Sequence, residues 1–198
     1  MLDKVFISPA IIVILRELSK RKAGITGREI ARQTGQTHRT ALKALDNLEV
    51  LKLVNREVAG KAYSFTLNRQ HYLNKNIVAN IFEVEKNFLS NINKDIKTGL
   101  CKYSESVILF GSVARHEDNY KSDFDICVVY KISKESAENS ISELRENLNT
   151  KYGITLAPYF ISMKNFAERA KKKKAPMADI LKDGKVICGK TLKELQNG

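Results

Sequence analysis

The residues whose types and spacing could do chemistry in this 198-residue chain are Gly111, Ser112, Arg115, Asp123 and Asp125. Ser106 to Phe110 is a short apolar run that ends in Gly111-Ser112, and Phe124 to Tyr130 is a second run that starts beside the two acids. A glycine and a serine at a strand end, followed by a short helix, offer unhindered backbone N–H groups and a hydroxyl to an anion, so a phosphate fits there. Asp123 and Asp125, two apart on an extended strand, point to one face. Both carboxylates can therefore hold one hard divalent cation.

The stretch "GSVARHEDNYKSDFD" resembles the nucleotidyltransferase family of the DNA polymerase beta-like superfamily, especially its small, minimal members. The family pattern is Gly-Ser, an Arg shortly after, then two aspartates one residue apart on the next strand. Gly111, Ser112, Arg115, Asp123 and Asp125 carry it here, with Ser122 completing an SDFD form. The likeness covers about Ser104 to Gly189. It implies transfer of a nucleoside monophosphate from a nucleoside triphosphate to an acceptor hydroxyl, with Mg²⁺ or Mn²⁺ held by Asp123 and Asp125 as catalytic metal ligands. It also implies that Gly111 and Ser112 orient the β,γ-phosphates, and that Arg115 adds positive charge or braces the loop.

Two departures bear on turnover. Active members carry a third acid on the neighbouring strand, yet the strand expected at Ile154 to Ser162, "ITLAPYFIS", contains none. Two carboxylates and the substrate phosphates can keep one magnesium, but a second ion at the attacking hydroxyl is poorly held. His116 stands where the family usually has Gly. Glu117, Asp118 and Asp183 are conceivable stand-in ligands, although loop acids are usually solvated. The resemblance thus leaves two readings: an active nucleotidyltransferase with an unknown acceptor, or a regulator or antitoxin-like protein whose fold binds nucleotide without turnover. The family's two-component toxin–antitoxin systems imply a protein partner of that type.

The elements ahead of this site read differently. Pro9 to Lys20 places Ile11, Ile14, Leu15 and Leu18 on one helical stripe. Thr26 and Glu29 have capping-box spacing, so a second helix starts at Gly27 and runs to about Thr34, where Gly35 breaks it. Thr37 caps a third helix that buries Ala41, Leu42, Leu45 and Leu48. Lys52 to Val58 and Ala62 to Leu67, around Ala59-Gly60-Lys61, form a hairpin. The order of three helices and a hairpin resembles the winged-helix family of transcriptional regulators over roughly residues 5 to 68. That resemblance implies double-stranded DNA as partner, with Gln36, Thr37, His38, Arg39 and Lys43 toward the major groove and Arg56 and Lys61 on phosphate or the minor groove.

Charge agrees with that placement. Up to Arg69 there are 13 basic and 6 acidic residues, in a chain of net charge +12, so a polyanion is attracted before any specific contact forms. Asn68 to Leu100 reads as one long helix with a stripe from Ile77 to Ile96 that packs in cis or pairs with a second copy as a homodimer. Helix from Lys134 to Thr150, a short helix from Pro176 to Leu181, a strand from Gly184 to Ile187 and a cap at Thr191 complete the pattern. Lys171 to Lys174 either extend a nucleic-acid surface, bind triphosphate or form a solvated helix end. Cys101, Cys127 and Cys188 are odd in number and far apart, and read as reduced. The early apolar run Ala10 to Leu15 is too short for a secretory segment, and no apolar run approaches membrane-spanning length, so a cytoplasmic chain is expected. The expected class is α+β. Residues 1–69 form a winged helix-turn-helix domain, 70–100 a connecting helix and 101–198 a nucleotidyltransferase-like domain with a mixed sheet flanked by helices.

Overall fold

The structure is a computed structural model, and it describes residues 2–115, 117 and 123–197. The chain divides into two compact units, Met1–Asn87 and Phe88–Gly198. It is a mixed α+β protein built of helices and two sheets.

The first unit carries α1 (Leu2–Val5), α2 (Pro9–Ser19), β1 (Ile25–Thr26), α3 (Gly27–Thr34), α4 (His38–Val50), β2 (Val54–Ala59) and β3 (Ala62–Leu67). The helix boundaries are set locally. Thr26 Oγ1 accepts from Glu29 N at 3.3 Å to start α3, and Thr37 Oγ1 accepts from Thr40 N at 3.1 Å to start α4. Between them Gly35 closes α3 at φ 65°, a left-handed turn that L side chains resist. The strands form an antiparallel sheet in the order β1-β3-β2, with Ile25 opposite Phe65 and Val54 opposite Leu67. Ile11, Ile14, Leu15 and Leu18 of α2 are all buried, together with Ile30, Ala41, Leu45, Leu48 and Phe65. Ala44 rather than Leu42 completes the buried face of α4, because Leu42 sits half-exposed beside Gly27.

A π-helical turn, Asn74–Val78, leads into α5 (Ala79–Leu100), and the boundary between the two units falls inside that helix. Its expected stripe is only partly covered. Ile92 and Ile96 are buried, whereas Ile81 and Phe88 stay exposed.

The second unit adds β4 (Ser104–Leu109), α6 (Gly111–Arg115), β5 (Phe124–Tyr130), α7 (Lys134–Tyr152), β6 (Leu156–Ser162), α8 (Met163–Lys172), α9 (Met177–Asp183), β7 (Lys185–Gly189) and α10 (Leu192–Asn197). The sheet order is β6-β5-β4-β7; β6 runs parallel to β5, and the other pairs are antiparallel. Strand alternation sends Val107, Leu109, Ile126 and Val128 to one face against α5 and α7. Ile108, Phe110, Cys127 and Val129 go to the other, against Phe166 of α8 and Met177 and Ile180 of α9. The unbroken apolar runs Val107–Leu109 in β4 and Ile126–Val129 in β5 fit burial on both faces.

The cysteine expectation is corrected. The pairing of β7 with β4 sets Cys188 opposite Val107, and Cys101 lies just past the end of α5. The two are joined in a disulfide with Cα atoms 6.2 Å apart, within the ordinary span of such a bond. Their separation of 87 residues hides this in the sequence. Cys127 is free and buried, and burial pushes its thiol up to about 12, which leaves it a small hydrophobe. Among the described residues no helix is long and apolar enough to cross a membrane.

Candidate active site

The site is built where β4 ends. Phe110 N donates to the Asp125 carbonyl at 2.9 Å, which carries the β4–β5 ladder one residue beyond the strand and fixes the turn that follows. Gly111 then adopts φ +75°. A Cβ at that position would run into Asp125 Oδ2, and it would lie 3.1 Å from Asp125 Cγ, tighter than most Cβ contacts in folded proteins. Only glycine lets the loop backbone rest against this carboxylate. Ser112 follows, half-exposed, and its hydroxyl has no hydrogen-bond partner among the described residues. The loop closes with Glu117 N donating to the Ser112 carbonyl at 3.0 Å.

Asp123 is exposed just before β5, and Asp125 is half-buried on it. Burial raises the pKa of Asp125 first, and the charge of Asp123 raises it further, against an opposing pull from Arg115. The negative charge of Asp123 thus adds to the cost of ionising Asp125. A cation removes that cost. Hard oxygen donors in this arrangement fit Mg²⁺ or Mn²⁺, which bind through one or two carboxylates plus substrate phosphates.

Arg115 closes the other side. Its Nε donates to Glu117 Oε2 at 2.6 Å, and its Nη1 lies 3.7 Å from Asp183 Oδ2 at the end of α9. The hydrogen bond to Glu117 is the main cause of its raised pKa, with Asp183 and Asp179 adding to it. Glu117 and Asp183, both conceivable stand-in metal ligands, are thus engaged with Arg115. His116, Asp118 and Ser122 lie outside the described residues. On β6 the residue in register with Asp125 is Ala157, and no residue of Leu156–Ser162 is acidic. Among the described residues no group of three or more His, Cys, Asp or Glu could hold a metal ion.

In the first unit Gln36 is half-buried, while Thr37, His38, Arg39, Lys43 and Lys61 are exposed. His38 and Lys61 line one concavity with Tyr63 and with Arg28 of α3. Sequence reasoning passes over Arg28; its place on the polar side of a strongly amphipathic helix is the signal that could have found it. Arg56 has a different setting. Its Nη1 contacts Glu49 at 3.2 Å and Asp46 at 3.6 Å, and its guanidinium stacks 3.6 Å from the Tyr63 ring centre. That guanidinium is already engaged within the unit.

A search of curated proteins finds no match. Among solved structures, the chain is similar to one described as the crystal structure of a toxin–antitoxin with AMP-PNP, at 18% identity and TM-score 0.38, covering 55% of this chain and 80% of that one. A mutant of the toxin–antitoxin MntA-HpeT is similar at 15% identity and TM-score 0.37, with the same coverages of 55% and 80%. The family model described as "Nucleotidyltransferase domain" matches residues 89–188, which is half of the chain and contains the Gly111 turn, both aspartates and all four strands of the second sheet to Cys188. The chain belongs to the nucleotidyltransferase domain family.

Proposed function

We propose that the second unit binds a nucleoside triphosphate with Mg²⁺ or Mn²⁺ and transfers its nucleoside monophosphate to an acceptor hydroxyl. The observation that carries this reading is the seating of Gly111 against the Asp125 carboxylate. The turn thus lies beside Asp125, which supports a shared site for a triphosphate and its divalent cation.

Asp123 and Asp125 hold the cation, which when bound neutralises phosphate charge and lowers the pKa of the attacking hydroxyl. The Gly111 and Ser112 N–H groups and the Ser112 hydroxyl donate to phosphate oxygens. Arg115, tied to Glu117 and Asp183, braces the turn and adds positive charge behind it. Ala157 stands in register with Asp125, so no side chain of β6 takes the hydroxyl proton, and water accepts it. The expected turnover is slow.

The deciding experiment has two readouts. Calorimetry is expected to show ATP binding that requires Mg²⁺. α-Labelled ATP is expected to label an acceptor, with the label lost in Asp123→Ala and Asp125→Ala. No binding with or without metal removes the proposal; binding with no transfer to any acceptor class leaves the second reading, a nucleotide-responsive regulator or antitoxin-like protein, which the acid-free β6 favours.

Within the first unit, we propose that residues 1–69 are a winged helix that binds double-stranded DNA, with residues 70–100 as the connecting helix and residues 101–198 as the nucleotidyltransferase-like domain. Exposure of His38, Arg39 and Lys43 on the first turns of α4, and of Lys61 at the hairpin tip, supports this reading. Arg39→Ala is expected to weaken a gel shift on duplex DNA and to lower the salt slope by about 1, and a shift indifferent to that change counts against it.

A further inference from the structure

The charge of the chain is unevenly spread. Residues 1–69 hold a surplus of 7 positive charges, residues 70–162 are near neutral, and the last 36 residues hold 10 basic against 4 acidic side chains. Half of the total surplus thus lies in α8, α9, β7 and α10. The acids of that segment are partly occupied: Asp183 with Arg115, and Glu194 with the backbone and hydroxyl of Thr191. Lys171, Lys172, Lys173, Lys174 and Lys182 are exposed, and among the described residues no carboxylate pairs with them. Like charges held together without counter-ions in the fold cost stability unless an anion arrives.

Their place relative to the site is fixed by α9. Ala178 N donates to the Lys174 carbonyl at 3.2 Å at the start of that helix, and Asp183 at its end meets Arg115. Seven helical residues span about 10 Å. The lysines therefore stand roughly one short helix from the Arg115 loop. On β6, Tyr159 is in register with Cys127 and so shares the sheet face of Asp125. Its hydroxyl accepts from Arg169 Nη1 at 2.5 Å. An aromatic ring and a guanidinium side by side form a surface on which a base can stack.

We infer that the acceptor is a nucleic-acid strand with a free 3′ end, held through its phosphates by Lys171, Lys172, Lys173, Lys174 and Lys182, with Tyr159 and Arg169 against a base. The inference rests on the transfer reading above. The terminal hydroxyl oxygen bonds to the α-phosphorus of the triphosphate while the bond from that phosphorus to the α,β-bridging oxygen breaks; pyrophosphate leaves with the electron pair, and the hydroxyl proton passes to water. An anionic membrane is disfavoured, because among the described residues Val186 is the sole large exposed hydrophobic of this segment, with no apolar wedge beside the lysines.

The test uses the full chain, fluorescein-labelled single-stranded oligo(A) RNA and a variant carrying Lys171→Ala, Lys172→Ala, Lys173→Ala and Lys174→Ala. Anisotropy across a salt series is expected to show the slope of log affinity against log salt reduced by about 3, since each lost phosphate contact on a single strand is worth about 0.7. Affinity at low salt is expected to fall at least tenfold, and label from α-labelled ATP into the RNA to fall with it. An unchanged slope overturns the lysine surface. RNA that takes no label while polyglutamate competes at equal charge overturns the nucleic acid in favour of an acidic peptide. Label from α-labelled ATP on protein or small-molecule hydroxyls but not on RNA overturns this inference alone, whereas label on no acceptor of any class overturns the transfer reading on which it rests.

Discussion

Gly111 lies against Asp125 so closely that a methyl group on its Cα would overlap the carboxylate, and its φ of +75° is one that L side chains resist. Gly60, at the tip of the hairpin, has φ +62° with nothing within 4 Å of the corresponding position. The pair separates strain from contact. Gly60→Ala is expected to cost about 1 kcal/mol from the backbone alone, and Gly111→Ala about 2–3 kcal/mol because the carboxylate must also move. Urea unfolding reads both. Gly111→Ala is also expected to weaken Mg²⁺-ATP binding at least tenfold; equal costs for the two variants would falsify the close seating.

Asp125 makes metal-free stability depend on pH. Burial and then Asp123 lift its pKa above the value in the unfolded chain. Between those two values the folded chain holds the extra proton, so stability falls as pH rises through the window just above the ordinary carboxylate range. Above that window the lost stability stays lost. Asp125→Asn is therefore expected to melt higher than wild type at neutral pH in EDTA, with the gap closing in acid. Added Mg²⁺ should raise the wild-type melting temperature and leave the variant unmoved. Parallel pH profiles in EDTA would remove the electrostatic coupling.

The disulfide between Cys101 and Cys188 closes a long loop around the second unit, and a cross-link over 87 residues restricts the unfolded chain strongly. Removing it with Cys101→Ser is expected to cost about 2–4 kcal/mol in urea unfolding. A reductant should lower wild type to the level of the variant and leave the variant unchanged. Wild type indifferent to reductant would mean that the two thiols do not pair in solution.

Features fixed by neighbours along the chain are legible in the amino-acid sequence. Thr26 with Glu29, Thr37 and Gly35 mark helix ends because a cap needs only the next few residues. The turn at Gly111 and the acids at the start of β5, Asp123 just ahead of the strand and Asp125 on it, are readable for the same reason, since the spacing of two adjacent strands fixes where their ends meet. Partners distant in the chain are not. Arg115 finds Asp183, and Cys101 finds Cys188, because β7 folds back on β4, a pairing that no local pattern encodes. Periodicity overstates the burial of α5 at Ile81 and Phe88, since it names a face and not what covers it.

Ala157 offers the strongest test of why turnover should be slow. It pairs in parallel register with Asp125, so its side chain leaves the sheet on the same face, one strand away. A carboxylate there would join Asp123 and Asp125 and could take the proton of an attacking hydroxyl. Without metal, a third negative charge adds repulsion to a site where Asp125 is already hard to ionise, so Ala157→Asp is expected to melt lower than wild type in EDTA. With Mg²⁺ the same repulsion becomes binding energy, and the order should reverse. A positioned general base contributes about 10²–10⁴-fold in rate, so even an imperfect placement should speed labelled-nucleotide transfer by at least tenfold. If the variant binds Mg²⁺ more tightly yet transfers no faster, the missing acid is not what limits the reaction, and the slow step lies with the acceptor.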